Sequence, residues 1–228
     1  MNICIIPARG GSKRIPRKNI KEFHGKPMIS YSIEAAMKSN CFDRVIVSTD
    51  DAEISKVAKQ WGAETPFIRP NKISDDYSTT MDVIQHAIKW CELQGLEINN
   101  MCCIYATAPF LQSADIRLGL KVLEESQSQY TFSAASFGFP IQRAFYLDES
   151  KNVAMFEPEH LNTRSQDLID AYHDAGQFYW GKISAFKASL PLFCDHSKPI
   201  FLPRKRVQDI DTPEDWDIAE LMFGALDK

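Results

Sequence analysis

The 228-residue sequence has no C-x-x-C pair, no apolar run approaching 18 residues, no internal repeat and no low-complexity segment. Lacking a long apolar run, it offers no candidate for a membrane-crossing helix. Its six cysteines, Cys4, Cys41, Cys91, Cys102, Cys103 and Cys194, are adjacent or far apart and have no histidine at zinc spacing. That excludes a closed structural zinc site and makes reduced thiols the expectation, with Cys4, Cys102 and Cys103 inside apolar runs as small hydrophobes. With 10 glycines, 44% hydrophobic and 25% charged residues and a net charge of −4, the composition excludes collagen-like, disordered and coiled-coil classes. The start, MNICIIPARG, lacks the basic leader and cleavable apolar stretch of a secretory signal, so a cytosolic protein is expected. A Walker loop, a G-x-G-x-x-G fingerprint, a G-x-S-x-G elbow and a Cys/His couple are missing too.

What is present is a rhythm. Apolar runs recur as NICIIP (2–7), RVIVST (44–49), ETPFIR (64–69) and MCCIYA (101–106), with YTFSAAS (130–136) following. Between them lie the helix-like stretches 27–39, 51–61, 78–94 and 113–125; in 78–94, Met81, Ile84, Ile88 and Cys91 repeat at threes and fours. Continuous apolar strands alternating with amphipathic helices predict an α/β fold, a mainly parallel sheet with helices on both faces. The length favours a single domain over residues 1–228. The rhythm breaks over 138–176, too long for a structureless loop within a compact domain, so this stretch is expected to be an inserted arm that packs on something else, such as a second subunit. Strand signals resume at 177–182 and 199–203. In the closing VQDIDTPEDWDIAELMF, Thr212 is suited to cap a helix, Pro213 to open it, and Glu214 and Asp215 to its positive end.

In open parallel sheets ligands sit beyond the carboxyl ends of the strands, so the loops after the apolar runs carry the chemistry. The first, IIPARGGSKRIPRKN (5–19), holds Arg9, Lys13, Arg14, Arg17 and Lys18 in an otherwise acidic chain. Gly10 and Gly11 permit close backbone approach or positive φ, and the cations suit phosphate oxygens. A solvated basic turn is the competing reading of a Gly-Gly pair; five cations at the end of the first strand favour a phosphate cradle. The second element is Asp209-Ile210-Asp211. Residues i and i+2 of an extended segment face the same side, and two carboxylates with phosphate oxygens and waters suit Mg2+. Alone, the pair reads more readily as a polar turn with capping aspartates. Together the two elements suit nucleotidyl transfer, in which cations hold a triphosphate and a metal neutralises its charge.

These stretches resemble the acylneuraminate cytidylyltransferase family, which activates nine-carbon and related eight-carbon acidic sugars as CMP derivatives. "IIPARGGSKRIPRKNI" is similar to the family's CTP signature, "CFDRVIVSTDD" to its second strand and "DIDTPEDW" to its metal motif. The resemblance implies that Arg9, Ser12 and Lys13 contact the CTP phosphates, with Lys18 and Asn19 on the far side of the loop and Lys18 meeting charge at the α-phosphate and leaving pyrophosphate. It implies that Arg69 and Thr80 read the cytosine and its neighbourhood, that Asp209 and Asp211 hold Mg2+, that the fold is a Rossmann-like nucleotidyltransferase sheet, and that the arm builds a homodimer.

On the sugar side the chain departs from the sialic acid enzymes. It reads Tyr105-Ala106-Thr107-Ala108-Pro109 where they carry Gln-Pro-Thr-Ser-Pro, and HDAGQFYWG (173–181) where they carry an Arg-Pro-Asn-Gly turn. Both departures resemble the pseudaminic acid cytidylyltransferases, so CTP and pseudaminate are the expected substrates, with N-acetylneuraminate and legionaminate as alternatives. A sugar that has lost a hydroxyl is better met by apolar surface, because an unpaired buried polar group costs roughly 1–3 kcal/mol. Tyr105, Phe178 and Tyr179 are candidates for that surface, with core packing the competing reading, and Arg164 and Gln166 are candidates for the sugar carboxylate or an N-acyl carbonyl, with a solvated arm surface the competing and favoured reading. A nucleic-acid-binding module is disfavoured, since it would carry a basic stripe over a whole face, and a non-catalytic relative is disfavoured by Lys18, Asp209 and Asp211 standing together.

Overall fold

Alternation within single strands decides how this chain is layered. In β1 (Asn2–Pro7), Ile3 and Ile5 face one side of the sheet and Cys4 and Ile6 the other, all fully buried. The computed structural model describes residues 1–226. After β1 come a small hairpin, β2 (Glu22–Phe23) and β3 (Lys26–Pro27), then α1 (Met28–Ser39), β4 (Arg44–Ser48), α2 (Ala52–Gln60), α3 (Thr80–Leu93) and β5 (Asn100–Ile104). The second half runs α4 (Ser113–Glu125), β6 (Tyr130–Ser136), β7 (Phe145–Leu147), β8 (Val153–Met155), β9 (Tyr172–Lys182), α5 (Ile183–Lys187), β10 (Ser197–Phe201) and α6 (Pro213–Leu226).

The main sheet has the order β10-β6-β9-β5-β1-β4. β1 pairs in parallel with β4 and β5, β10 with β6, and β9 lies antiparallel between β5 and β6. Cys4, Ile6, Val45, Val47 and Trp180 pack under α1, α2 and α4, while Ile3, Ile5, Ile46, Met101 and Cys103 pack under α3 and α5. The expected α/β sheet with helices on both faces is what the chain forms. All six cysteines are free.

Local signals set the helix starts. Asp51 caps α2 by accepting from the amides of Glu53 and Ile54, and Thr79 and Asp82 cap α3 reciprocally. Thr212 does the same for α6: its Oγ1 accepts from the Asp215 amide at 3.2 Å, and the Asp215 carboxylate accepts from the Thr212 amide at 2.8 Å. The expected strand at 64–69 is corrected. Only Glu64 bridges to Ile46, and the rest is an irregular connection with a bend at Phe67, in which Pro66 cannot donate to a ladder.

A third cluster ties the two ends of the chain together. Ile15 from the basic loop, Phe23 and Met28 pack with Phe110, Ile210, Trp216 and Ala219. The Phe23 ring meets those of Trp216 and Phe223 edge-on at 5.4 and 5.3 Å. Segment 138–171 holds the β7–β8 hairpin and single helical turns, whereas 172–176, expected in the arm, belong to β9.

Helix α4 is held against the sheet by closeness at Gly119, where a Cβ would stand 2.8 Å from the rings of both Phe178 and Trp180. Gly119→Ala should therefore destabilise the protein by about 1–2 kcal/mol, overpacking outweighing a helix-propensity gain of about 1 kcal/mol. Urea unfolding checks this; an unchanged or raised midpoint contradicts the packing argument.

Candidate active site

Beyond the carboxyl ends of β1, β4 and β5 lies a cleft of about 580 Å³, reached by Pro7, the basic loop, Arg69, the 73–80 segment, Tyr105–Thr107 and Asp211. That is the position expected for a ligand site in a parallel sheet. Arg9, Ser12, Lys13, Lys18, Asn19, Arg69, Thr80 and Tyr105 all line it.

The basic loop is shaped by its own contacts. Ser12 donates its amide to Gly10 O at 3.1 Å, and Asn19, almost buried, donates Nδ2 to Arg9 O at 3.0 Å. A Cβ on Gly10 would stand 2.7 Å from an Asp51 carboxylate oxygen. The close approach expected there is thus to Asp51, and positive φ falls on neither glycine but on Arg17, at 56°. A non-glycine residue rarely holds this conformation without support. Arg17 donates to Asp51 at 2.6 and 3.0 Å and to Glu53 at 2.5 Å, and the chain leaves it in a single helical turn that carries Lys18.

Lys18 points across the cleft to the C-terminal motif. Its Nζ donates to Ile210 O at 2.6 Å and to Asp211 at 3.2 Å, and Arg14 reaches the other Asp211 oxygen at 2.8 Å. An ammonium has three donors, so one of Lys18's remains for the cleft. Burial works to raise the Asp211 carboxyl, but Lys18 and Arg14 overcome it and hold it below the usual range. Asp209 stands beside Asp211, exposed as a residue and outside the cleft lining, and partial desolvation of its carboxyl, then the Asp211 charge, raises it.

On the opposite wall Arg69 is 3% exposed. Its Nε donates to Ser74 Oγ at 3.1 Å, while a terminal nitrogen stands 3.7 Å from Asp50, beyond hydrogen-bond distance. Burial, offset by Asp50 and reinforced by Arg9, lowers its pKa, yet a guanidinium stays charged in proteins. Arg69 is thus a desolvated cation held by Ser74 and ion-paired with Asp50. Thr80, on the first turn of α3, lies 3.1 Å from the Tyr105 hydroxyl.

Other expected site residues lie elsewhere. Phe178 is fully buried in the core on the α4 side, because alternation along β9 turns it away from the cleft face. Tyr179 is on the cleft's side of the sheet but lines no part of the cleft; it packs behind Tyr105 and donates its hydroxyl to Asp174 at 2.6 Å. Arg164 and Gln166 sit exposed on the arm, Arg164 paired with Asp167, and neither lines the cleft. Sequence reasoning also missed the carboxylates facing the loop. Asp76 takes Arg9 and Lys13, both at 2.5 Å, and Asp50 takes the Gly10 amide at 3.0 Å. The adjacent pairs "TDD" and "SDD" after two apolar segments were the available signal.

Comparison with known proteins agrees with this geometry. A family model for cytidylyltransferases matches residues 3–215, and the chain belongs to that family of nucleotidyltransferase enzymes. It is 49% identical to a pseudaminic acid cytidylyltransferase of Campylobacter jejuni, covering 97% of this chain and 96% of that one. It is 34% identical to N-acylneuraminate cytidylyltransferase A of Danio rerio, over 99% of this chain and 52% of the other. A solved CMP-2-keto-3-deoxy-manno-octonic acid synthetase complexed with CTP superposes with a TM-score of 0.70 at 15% identity, covering 99% of both chains, which shows the shared fold.

The Arg17–Asp51 pair yields a pH test. Arg17, opposed by burial, holds the Asp51 carboxyl down at about 2. A depressed folded-state value contributes stability that is complete above the unfolded value of about 3.9 and lost as pH falls through the folded one. Asp51→Asn should therefore cost on the order of 1–2 kcal/mol at neutral pH, allowing for solvent around Arg17. Denaturant unfolding at pH 7, 5 and 3 should show the gap at the first two and its narrowing at the third; a gap independent of pH contradicts the pairing.

Proposed function

We propose that this chain transfers the cytidylyl group of CTP to pseudaminic acid, giving CMP-pseudaminic acid and pyrophosphate. The observation that carries the reading is the meeting of Lys18 with Ile210 O and Asp211, which supports a shared cleft for the basic loop and Asp211. The 49% identity to a pseudaminic acid cytidylyltransferase supports the choice of sugar.

In this reading Arg9, Ser12 and Lys13 receive the phosphates, and Asp76 releases the two cations when a more highly charged acceptor arrives. Asn19 keeps the loop folded through Arg9 O, and Arg69 and Thr80 hold the nucleoside end. The sugar's anomeric hydroxyl oxygen forms the bond to the α-phosphorus as the bond to the pyrophosphate oxygen breaks. The remaining Lys18 donor meets the negative charge that grows there. Catalysis is chiefly positioning and charge neutralisation.

Asp209 and Asp211 fit a divalent cation: both are hard oxygen donors, and the Asp211 charge raises Asp209, a repulsion that a cation relieves. Two carboxylates suit Mg2+, an ion that takes one or two of them and completes its shell with phosphates and water. When bound, it neutralises phosphate charge.

For the arm, 138–171, the reading is a homodimer contact. Phe139 and Ile169 are 87% and 84% exposed, and Phe145, Leu147 and Val153 are exposed on one face of the β7–β8 hairpin. Exposed apolar side chains that share a face mark interaction surfaces. Arg164 and Gln166, remote from the cleft of their own chain, are suited to reach that of a partner.

Lys18→Ala should lower turnover by well over tenfold while circular dichroism stays that of the wild type; near-normal turnover rejects the cradle. Pyrophosphate release with pseudaminate, N-acetylneuraminate, legionaminate and 2-keto-3-deoxy-manno-octonate in parallel should be fastest with pseudaminate. A faster rate with any of the others overturns the choice of sugar.

A further inference from the structure

Asp211 carries two cations that are held in different ways. Lys18, its side chain 17% exposed, donates to Ile210 O as well as to Asp211 Oδ1, and it stands on the helical turn that follows Arg17. Arg14 meets the other oxygen, Oδ2, at 2.8 Å, but its side chain is 63% exposed and, among the described residues, this is its one ion pair. The backbone beside Arg14 is fixed: Ile15 is buried in the cluster that joins the two ends of the chain, and its carbonyl accepts the Lys18 amide at 3.2 Å. Arg14 is thus a long, solvated side chain on an anchored root, and it lines the same cleft as Arg9, Ser12 and Lys13. Asp209, the other member of the carboxylate pair, makes no ion pair among the described residues.

A guanidinium stays charged, so Arg14 is drawn to whichever anion the cleft offers. In the empty cleft that anion is Asp211. A divalent ion on the aspartate pair would share Asp211 with Lys18 and Arg14, and like charges around one carboxylate repel. Lys18 is secured by the Ile210 carbonyl and by its burial, whereas Arg14 has a single exposed contact, of the kind that is cheap to break. Arg14 is therefore the cation that yields. We infer that Arg14 is a shared cation: it neutralises Asp211 while the cleft is empty and turns to the triphosphate once a divalent ion takes its place. The inference rests on the cleft being the CTP site proposed above. Since one side chain cannot serve both partners, ion and nucleotide each remove a competitor of the other, and such a coupling is equal in both directions.

Arg14→Gln is the informative change because it removes the charge and keeps much of the side chain. Titration of the nucleotide-free protein with Mn2+, followed by the electron paramagnetic resonance of the free ion, should show binding about threefold tighter in the variant than in the wild type, the scale of one exposed ion pair. Calorimetric titration with CTP, with and without Mn2+, should show that the factor by which the ion tightens CTP is smaller in the variant by the same amount, about threefold. Arg14→Lys, which keeps the charge, should lie nearer the wild type in both titrations, and circular dichroism should be the same for all three proteins. A loss of structure would weaken Mn2+ binding, and a plain phosphate contact would leave it unchanged; either result in Arg14→Gln overturns the proposal, as does tighter Mn2+ binding with undiminished coupling. Arg14→Lys behaving as Arg14→Gln overturns it too, because charge is then not the cause. The wild type separates the two readings: no CTP binding sinks the proposed function, whereas a wild type that binds CTP more tightly with Mn2+, beside an indifferent Arg14→Gln, sinks the role of Arg14 alone.

Discussion

One ammonium group joins the two ends of this chain. Lys18 reaches a backbone carbonyl and a carboxylate 192 and 193 residues away in sequence, and nearly everything at the cleft follows from that contact. It is held from both sides by apolar packing: Ile15 three residues before it and Ile210 between the two aspartates are buried in the same cluster, with Trp216 of the last helix. Polar contacts across a solvent-facing cleft are individually weak. The greasy anchors beneath the charges are what keep them at this spacing.

The second constraint is neutrality. The basic loop is balanced by carboxylates almost residue for residue: Arg9 and Lys13 by Asp76, Arg14 and Lys18 by Asp211, and Arg17 by Asp51 and Glu53. These pairs differ in kind. Lys13 and Asp76 are solvent-exposed partners, cheap to separate, whereas Arg17 is locked to the Asp51 that also caps α2 and so belongs to the framework. The loop therefore has a rigid base at Arg17 and a soft rim at Arg9 and Lys13. Arg69, buried and 3.7 Å from its ion-pair partner Asp50, places a further positive charge on the facing wall.

Much of this was legible in the sequence. Strand and helix periods gave the layers, and the Thr212-Pro213-Glu214-Asp215 signal placed α6 correctly, because each depends on residues close in the chain. The cations and the aspartate pair were legible as types suited to phosphate and metal. What could not be read was partnership at long range: nothing local announces that Asp76 faces Arg9, or that Gly10 is a glycine because of Asp51. The aromatic expectations failed for a related reason. In FYW, successive side chains take opposite faces of β9, so Phe178 and Tyr179 could never share a surface, and which face meets the cleft depends on the sheet order. The strand expected at 64–69 failed on its prolines, which an apolar count overlooks.

We propose that the loop cations and the Asp209–Asp211 pair act as one site for a triphosphate carried with its metal ion. Calorimetric titration of the wild type with CTP, with and without millimolar Mg2+, tests it most directly. The account predicts that Mg2+ tightens CTP binding by about tenfold or more, and that the gain disappears when Asp211 is replaced by asparagine. Equal affinity with and without the ion, or a gain that survives the replacement, contradicts it.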